Sequence, residues 1–227
     1  MPFFFYDPTM ILLIPAIILA IWAQARVSST YSRYSKVRSA QGITGAKAAQ
    51  FLLNQNGIFD VEIEAVEGKL SDHYDPRSKK LRLSADNYRG QSLAAVAVAA
   101  HEVGHAIQHN KGYGPLQIRH AFLPVTNIGS WAAFPLFIIG FFFQTPLLMD
   151  LGILLFAGVV IFHFVTLPVE FNASNRALAQ LSSQGMLLEQ EVKGARKVLN
   201  AAALTYVAAT AVALIHLLRL IILRGED

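Results

Sequence analysis

The sequence predicts a mainly α-helical membrane protein with four transmembrane helices and an α+β region that carries a small β-sheet. Hydrophobic residues make up 54% of the 227 residues and charged residues only 15%, whereas soluble domains average about 25% charged residues. The apolar residues form long runs without charge, and charged stretches separate these runs. Within the longest charged stretch, apolar residues recur with a helical period in some places and alternate as in strands in others.

Four segments are long and apolar enough to cross a bilayer, which takes about 20 residues in a helix. They cover residues 9–25, 121–143, 146–167 and 201–223. Because only two residues separate the second segment from the third, these two predict a tight antiparallel hairpin. The predicted domains are therefore a first transmembrane helix (1–25), a polar region (26–120), a transmembrane hairpin (121–167), a second polar segment (168–200), and a fourth transmembrane helix with a C-terminal tail (201–227).

The charges around the first segment predict its orientation. A cleaved signal peptide is an alternative for this segment, because Ala23-Gln24-Ala25 resembles a cleavage site. However, no Lys or Arg precedes the apolar run, and basic residues begin directly after it at Arg26. This order is typical of an uncleaved anchor with its N-terminus outside. Since the other basic loop lies two crossings later, both polar regions are expected in the cytoplasm.

The net charge of +4 alone does not indicate a nucleic-acid partner. Basic residues are not gathered into a dense run with interleaved aromatic residues, so we expect no nucleic-acid binding. With no cysteine in the chain, disulfides and thiolate ligands are excluded. Any metal ion must then be held by histidine and carboxylate side chains.

The sequence of the first polar region (26–120) predicts helices and short strands. Thr44 is a suitable N-cap for a helix over 45–55, and Asn56-Gly57 is a normal helix stop. Residues 61–66 and 81–84 alternate like strands, with a turn at 75–78 between them. A long helix is predicted from 86 to 110.

The long helix carries the sequence AVAVAAHEVGHAIQH, which places His101 and His105 four residues apart. Residues at this spacing share one helix face, so both imidazoles can bind one ion. Glu102 lies beside them and can take a proton from a water molecule that the ion activates. Gly104 costs roughly 1 kcal/mol relative to alanine in a helix, which indicates that another element approaches closely. The pattern predicts a metal-dependent hydrolase with one zinc ion per chain.

A catalytic zinc site takes three protein ligands and keeps one position open. The candidates for the third ligand are His109, His120, His163 and Glu170. His109 lies two helical turns, roughly 12 Å, from His101, so one ion cannot bind all three histidines of this helix. Glu170 fits best, because it follows Pro168 at the start of a predicted new helix whose small residues permit tight packing. The alternative for Glu170 is an acid that only stabilises a helix N-terminus.

HEVGH, the four apolar segments and the downstream PVEFNASNRAL together resemble the YugP-like family of bacterial membrane zinc metallopeptidases. That family is broadly similar to HtpX and to the CAAX-processing proteases. The resemblance extends over nearly the whole chain, including YSKVRSAQGITGAKAAQFLL and LSDHYDPRSKKLRLS. It implies a zincin-like catalytic region that faces the cytoplasm, with Glu170 as the third zinc ligand. It also implies a protein or peptide substrate and a role in membrane-protein quality control, and it leaves room for a membrane-protein regulator.

The resemblance fails at one position. The HtpX and CAAX-protease pattern has an aspartate four residues after the ligand glutamate, where this chain has Ser174. We therefore expect Asn172 or Asn175 to orient the ligands instead. For the residue that stabilises the oxyanion of the transition state, the candidates are Arg176, Tyr206 and His120.

The segment LRLS, just before the long helix, predicts how a substrate binds. If it forms an exposed sheet edge, an extended peptide can pair with its backbone beside the metal. The residues of this predicted substrate edge are Leu81, Arg82, Leu83 and Ser84. The alternative is that another strand covers this edge.

Two other functions stay open at this point. A site-2-type intramembrane protease also carries HExxH, but within a spanning helix and with a distal aspartate as the third ligand; no LDG motif occurs here. A non-catalytic membrane scaffold with structural zinc is the second, although its fourth ligand would normally be another His or Cys.

Overall fold

The computed structural model describes residues 8–225. The predicted N-terminal end outside the membrane (before Pro8) and the last two residues of the tail lie outside the described residues. A short 3-10 helix, Pro8–Leu12, leads into the first α-helix. The elements that follow are α1 (Leu13–Tyr34), α2 (Gly45–Gln55), β1 (Glu62–Val66), β2 (His73–Asp75), β3 (Lys80–Ser84), α3 (Ala85–Arg89), α4 (Leu93–Asn110), α5 (Gly114–Phe142), α6 (Pro146–Ser183) and α7 (Glu189–Gly225).

Four of these helical segments are long and apolar enough to cross a membrane, as the sequence predicts. They are the segment Pro8–Tyr34 and helices α5, α6 and α7. The mainly helical fold class with a small sheet is thereby confirmed.

The chain folds as two compact units. The apolar unit comprises residues 8–24, 117–167 and 205–225, and the polar unit comprises residues 25–116 and 168–204. Large apolar side chains of the apolar unit point outward, among them Trp131 (82% exposed) and Phe143 (77% exposed). Such exposure is expected of helices whose outer surface contacts lipid.

The core of the polar unit lies between α2, α4 and the sheet. Leu52 and Leu53 of α2 and Val96 of α4 are fully buried there. The predicted helix over 45–55 is confirmed together with its cap, because the Thr44 side chain accepts a hydrogen bond from the Lys47 backbone N–H. This core holds α4, which carries His101 and His105, against the sheet.

The predicted single helix over 86–110 is wrong, because the chain forms two helices with an extended break at Gly90–Ser92. The Ser92 side chain accepts a hydrogen bond from the Ala95 N–H and so caps α4. At the break the backbone forms hydrogen bonds with the segment around Val37 rather than within a helix: the Leu93 N–H donates to the Val37 carbonyl. The chain therefore leaves the helical conformation at Gly90 and starts a new helix, α4, at the Ser92 cap.

The helix predicted to begin after Pro168 does not exist as a separate element. Helix α6 continues through Pro168 to Ser183, although proline lacks the N–H that a helix interior normally uses. Likewise, α7 begins at Glu189 and passes the predicted boundary at residue 200 without a break. The turn between them contains Gly185, whose φ of +64° suits glycine.

The sheet has the strand order β1-β3-β2, with β1 parallel and β2 antiparallel to β3. The prediction of an exposed substrate edge at Leu81, Arg82, Leu83 and Ser84 is therefore wrong, since β3 is the central strand. Both leucines are fully buried, and the Ser84 N–H donates to Asp72 Oδ1. The edge strand β2 is only three residues long, too short to show an alternating pattern in the sequence.

Candidate metal centre

Helices α4 and α6 approach each other closely within the polar unit, and Gly104 makes this approach sterically feasible. A Cβ atom built on Gly104 would lie 2.6 Å from the Ala173 carbonyl oxygen, far inside van der Waals contact. The predicted reason for an interior glycine is thereby confirmed, and the small residue facing it belongs to α6. The close packing brings one turn of α6 against the face of α4 that carries the histidines.

Three predicted ligands meet where the helices are closest. Glu170 Oε2 lies 3.3 Å from His101 Nε2 and 3.5 Å from His105 Nε2. One ligand atom from each of the three side chains lies within 4.8 Å of the others. The Glu170 side chain is 3% exposed and each imidazole 13%, so the cluster is largely shielded from solvent.

These separations fit a zinc ion. Zinc binds imidazole nitrogen and carboxylate oxygen at about 2.0–2.2 Å, and tetrahedral donors are then roughly 3.3–3.6 Å apart. The two measured Glu170–His separations fall in this range. Two nitrogens and one carboxylate oxygen also match the donor set of catalytic zinc sites with a glutamate ligand.

The remaining nitrogen of each imidazole has its own partner. His101 Nδ1 lies 3.1 Å from the Ser174 hydroxyl, and His105 Nδ1 lies 3.0 Å from Gln108 Oε1. Such contacts fix the ring orientation and leave Nε2 directed at the metal position. Ser174 thus contacts His101 from the position that carries an aspartate in the related pattern.

Gln108 is fully buried and connects α4 to α6 through its amide. Its Nε2 donates to the Val169 carbonyl oxygen at 2.8 Å and to Asn172 Oδ1 at 3.1 Å. Asn172 Oδ1 also accepts a hydrogen bond of 2.7 Å from Arg176 Nε. Because Gln108 Nε2 donates to these two acceptors, Gln108 Oε1 is the amide atom directed at His105, so the protonated nitrogen of His105 must be Nδ1.

Glu102 is 7% exposed and lies on α4 beside the two histidines. Burial acts to lower the pKa of His105, but the hydrogen bond and charge of Glu170, together with the charge of Glu102, raise it above its ordinary value. The two carboxylates therefore create a negative potential at His105, which favours a bound cation. Glu102 is close enough to contribute to this potential although it belongs to no ligand cluster.

The other sequence-predicted residues are distributed over both units. Asn172 and Arg176 belong to the network at the metal cluster, while Asn175 on the same helix is exposed. His120 and Tyr206 belong to the apolar unit. His109 points to β2, where its Nδ1 lies 2.9 Å from the Tyr74 hydroxyl.

Two residues at the cluster escaped sequence reasoning. Gln108 follows His105 by three residues and so shares its helix face, and Ser174 follows Glu170 by four. These spacings were a usable signal. Gln and Ser at such positions are common on helices, however, and only the meeting of α4 with α6 gives them a role.

Over residues 9–225, the chain matches a protein family described as "Putative neutral zinc metallopeptidase". The chain belongs to this family. A relative from Bacillus subtilis strain 168, "Putative membrane protease YugP", is 49% identical over 218 residues, which are 95% of this chain and 97% of the relative. No solved structure matches the chain. The resemblance to the YugP-like family is confirmed, and with its four apolar helices this family member is a membrane protein.

Proposed function

We propose that this protein is a membrane-integrated, zinc-dependent endopeptidase with one zinc ion per chain. His101, His105 and Glu170 hold the zinc, and Glu102 is the general base. The observation that carries the proposal is the meeting of three donor side chains within 4.8 Å, with the Glu170 oxygen at zinc-compatible distances from both imidazole nitrogens. The buried Glu102 carboxylate lies beside this cluster. The family membership supports the same chemistry.

The residues around the cluster divide the work of peptide hydrolysis. A zinc ion held by His101, His105 and Glu170 would lower the pKa of water to about 7 and so make hydroxide available at neutral pH. The Glu102 carboxylate accepts the proton of the attacking water and later donates it to the leaving amine. Gln108 and Ser174 hold the two imidazoles in place throughout.

Three observations favour this proposal over the alternatives. A site-2-type protease places HExxH in a spanning helix, but α4 is not among the candidate spans within residues 8–225. A structural zinc would call for a fourth protein ligand, whereas the cluster found among the described residues has three members. A buried Glu102 next to three ligands also has no purpose in a scaffold.

The setting of the reaction is proposed from the charge pattern and from the family. We place the protein in a bacterial cell membrane, with the polar unit, which carries the proposed catalytic site, in the cytoplasm and the N-terminus outside. The substrate is a protein or peptide, and the role is in membrane-protein quality control under a membrane-protein regulator. The basic residues of the two polar regions support the orientation.

The decisive test is the variant Glu102→Gln in the purified full-length protein. It removes the base and leaves all three ligands, so we expect stoichiometric zinc with peptidase activity reduced about 10²–10⁴-fold. Elemental mass spectrometry measures the zinc content of the protein, and hydrolysis of a quenched fluorescent protein substrate measures its activity. Glu189→Gln is the matched control, since that side chain is 91% exposed.

Full activity of Glu102→Gln would exclude the mechanism. Absence of zinc from the wild-type protein would exclude the metal site. In cells, comparison of membrane proteomes with the wild type and Glu102→Gln should reveal full-length proteins that accumulate in the variant, which identifies the substrates.

A further inference from the structure

A polar cavity of about 700 Å³ lies in the polar unit, on the side where α1 ends. Its walls come from the end of α1, the chain that follows it, the loop after β1 and the junction of α3 with α4. Hydroxyl groups and cationic side chains predominate among the lining residues, which include Ser28, Ser32, Lys36, Arg38, Lys69 and Ser92. Ser92 lies nine residues before His101, roughly 13 Å along the helix, so the cavity is separate from the zinc site.

The cavity carries a positive potential. Lys36, Arg38 and Lys69 line it, and Asp86 is the one carboxylate among its lining residues. Within residues 8–225, none of the three cations forms an ion pair with an acidic side chain, in contrast to Lys80 and Arg82 of β3 and to Lys79 just before it. Three unneutralised cations around one cavity favour an anionic ligand.

The N-terminus of α4 adds to this potential. Gly90, Gln91 and Ser92 line the cavity, and Ser92 is the N-cap of this 18-residue helix. The positive end of a helix dipole attracts anions, phosphate groups in particular. The backbone of Arg38 is held at the same place, because Arg38 forms a β-bridge with Ser92.

The position along α1 indicates where such an anion comes from. The apolar run ends at Ala25, and Ser28 and Ser32 of α1 follow it by three and seven residues. At 1.5 Å per residue these serines lie about 5 and 10 Å beyond the hydrocarbon core. The headgroup layer of each leaflet is roughly 5–8 Å thick, so the cavity begins at headgroup depth, at Ser28, and continues beyond that layer on the aqueous side.

We propose that this cavity binds the phosphate of an anionic phospholipid headgroup, with Lys36, Arg38 and Lys69 as cationic contacts and the serine hydroxyls as donors. The proposal does not depend on the peptidase mechanism, since it involves none of the zinc ligands. Phosphate is the recognised group, and a soluble phosphate compound is the other source of the same chemistry.

Native mass spectrometry of the full-length protein in neutral detergent tests the proposal. We expect one tightly bound phosphatidylglycerol and weaker binding of phosphatidylcholine. The double variant Lys36→Gln/Arg38→Gln should weaken phosphatidylglycerol binding at least about tenfold, since each charge-assisted hydrogen bond that is lost contributes substantially to the affinity for the lipid. Arg196→Gln/Lys197→Gln is the matched control, because both residues are exposed on α7 of the same unit and the charge change is equal.

A second variant, Ser32→Trp, fills the cavity without altering any charge and should weaken binding similarly. The zinc content of each variant reports whether the polar unit is folded. If the double variant loses zinc, the lipid binding of Ser32→Trp tests the proposal instead. Displacement of the lipid by equimolar inorganic phosphate would assign the cavity to a soluble phosphate compound. Equal losses in the cavity pair and the α7 pair, or unchanged binding in the cavity variants, would overturn the proposal.

Discussion

At the scale of single residues, the metal cluster depends on groups that bind no metal. Gln108 is fully buried and contacts His105, the Val169 carbonyl and Asn172. A buried amide with three partners has one orientation, so it fixes the His105 ring before any ion arrives. This pre-orientation lowers the cost of forming the site.

We predict that Gln108→Ala weakens zinc binding about 10–100-fold, the usual effect of removing a group that orients a metal-ligating histidine. Competition with a chromophoric chelator measures the affinity. Gln50→Ala is the control, because Gln50 is exposed and its amide contacts only Asn54 in the described structure. Unchanged zinc affinity in Gln108→Ala would show that the His105 ring is held by other means.

The sequence could select His101, Glu102 and His105 as candidates because their spacing on one helix is itself the chemical signal, and the structure brings His101 and His105 together with Glu170. Glu170 needed the additional clue of small neighbouring residues, which indicated close packing. Ser174 and Gln108 could not be found in this way, since each acquires its role only from the partner helix. The predicted roles of His120, Asn175 and Tyr206 stay predictions.

At the scale of the elements, the approach of α4 to α6 determines the geometry of the cluster. Their contact has a glycine on one side and Ala173 on the other. The backbones can therefore come closer than two helices with larger side chains, whose axes lie 8–10 Å apart. The ligands extend across this contact from both helices.

We predict that Gly104→Ala destabilises the protein by about 1–3 kcal/mol, the usual cost of overpacking, and also weakens zinc binding. The reason is the 2.6 Å approach of the new Cβ to the Ala173 carbonyl, where backbone rather than a flexible side chain must move. Thermal unfolding in detergent, with and without a chelator, measures both effects. The control is Gly114→Ala, where a Cβ atom meets nothing within 4 Å; equal unfolding temperatures of the two variants would contradict the prediction.

The elements that sequence reasoning missed have common physical causes. The break between α3 and α4 depends on backbone pairing with residues 37–39, which no local pattern reveals. Helix α6 continues through Pro168 because a proline removes one hydrogen bond without forbidding helix in a long, well-packed segment. Strand β3 is central because β2 pairs with one of its edges. Since β2 has only three residues, it is too short to show an alternating pattern in the sequence.

At the scale of the whole molecule, the proposed orientation of the chain in the bilayer is based on where its charges lie. Thirteen of the 19 Lys and Arg residues lie from Arg26 to Arg119, and four more lie from Arg176 to Lys197. Two predicted membrane crossings separate the first basic group from the second, so both groups would lie on the same side of the membrane. The short loop at Gln144 between α5 and α6 carries no basic residue, so the same proposal places it on the opposite side.

The absence of cysteine makes this orientation directly testable, because a single introduced thiol has no background. We predict that Gln144→Cys reacts with a membrane-impermeant maleimide in intact protoplasts. Gln184→Cys, at the exposed turn between α6 and α7, should react only after permeabilisation. The cysteine-free parent gives the baseline, and a cytoplasmic marker protein controls for leakage. Labelling of Gln184→Cys but not of Gln144→Cys in intact protoplasts would place the catalytic unit outside the cell and reverse the proposed orientation, while leaving the zinc chemistry untouched.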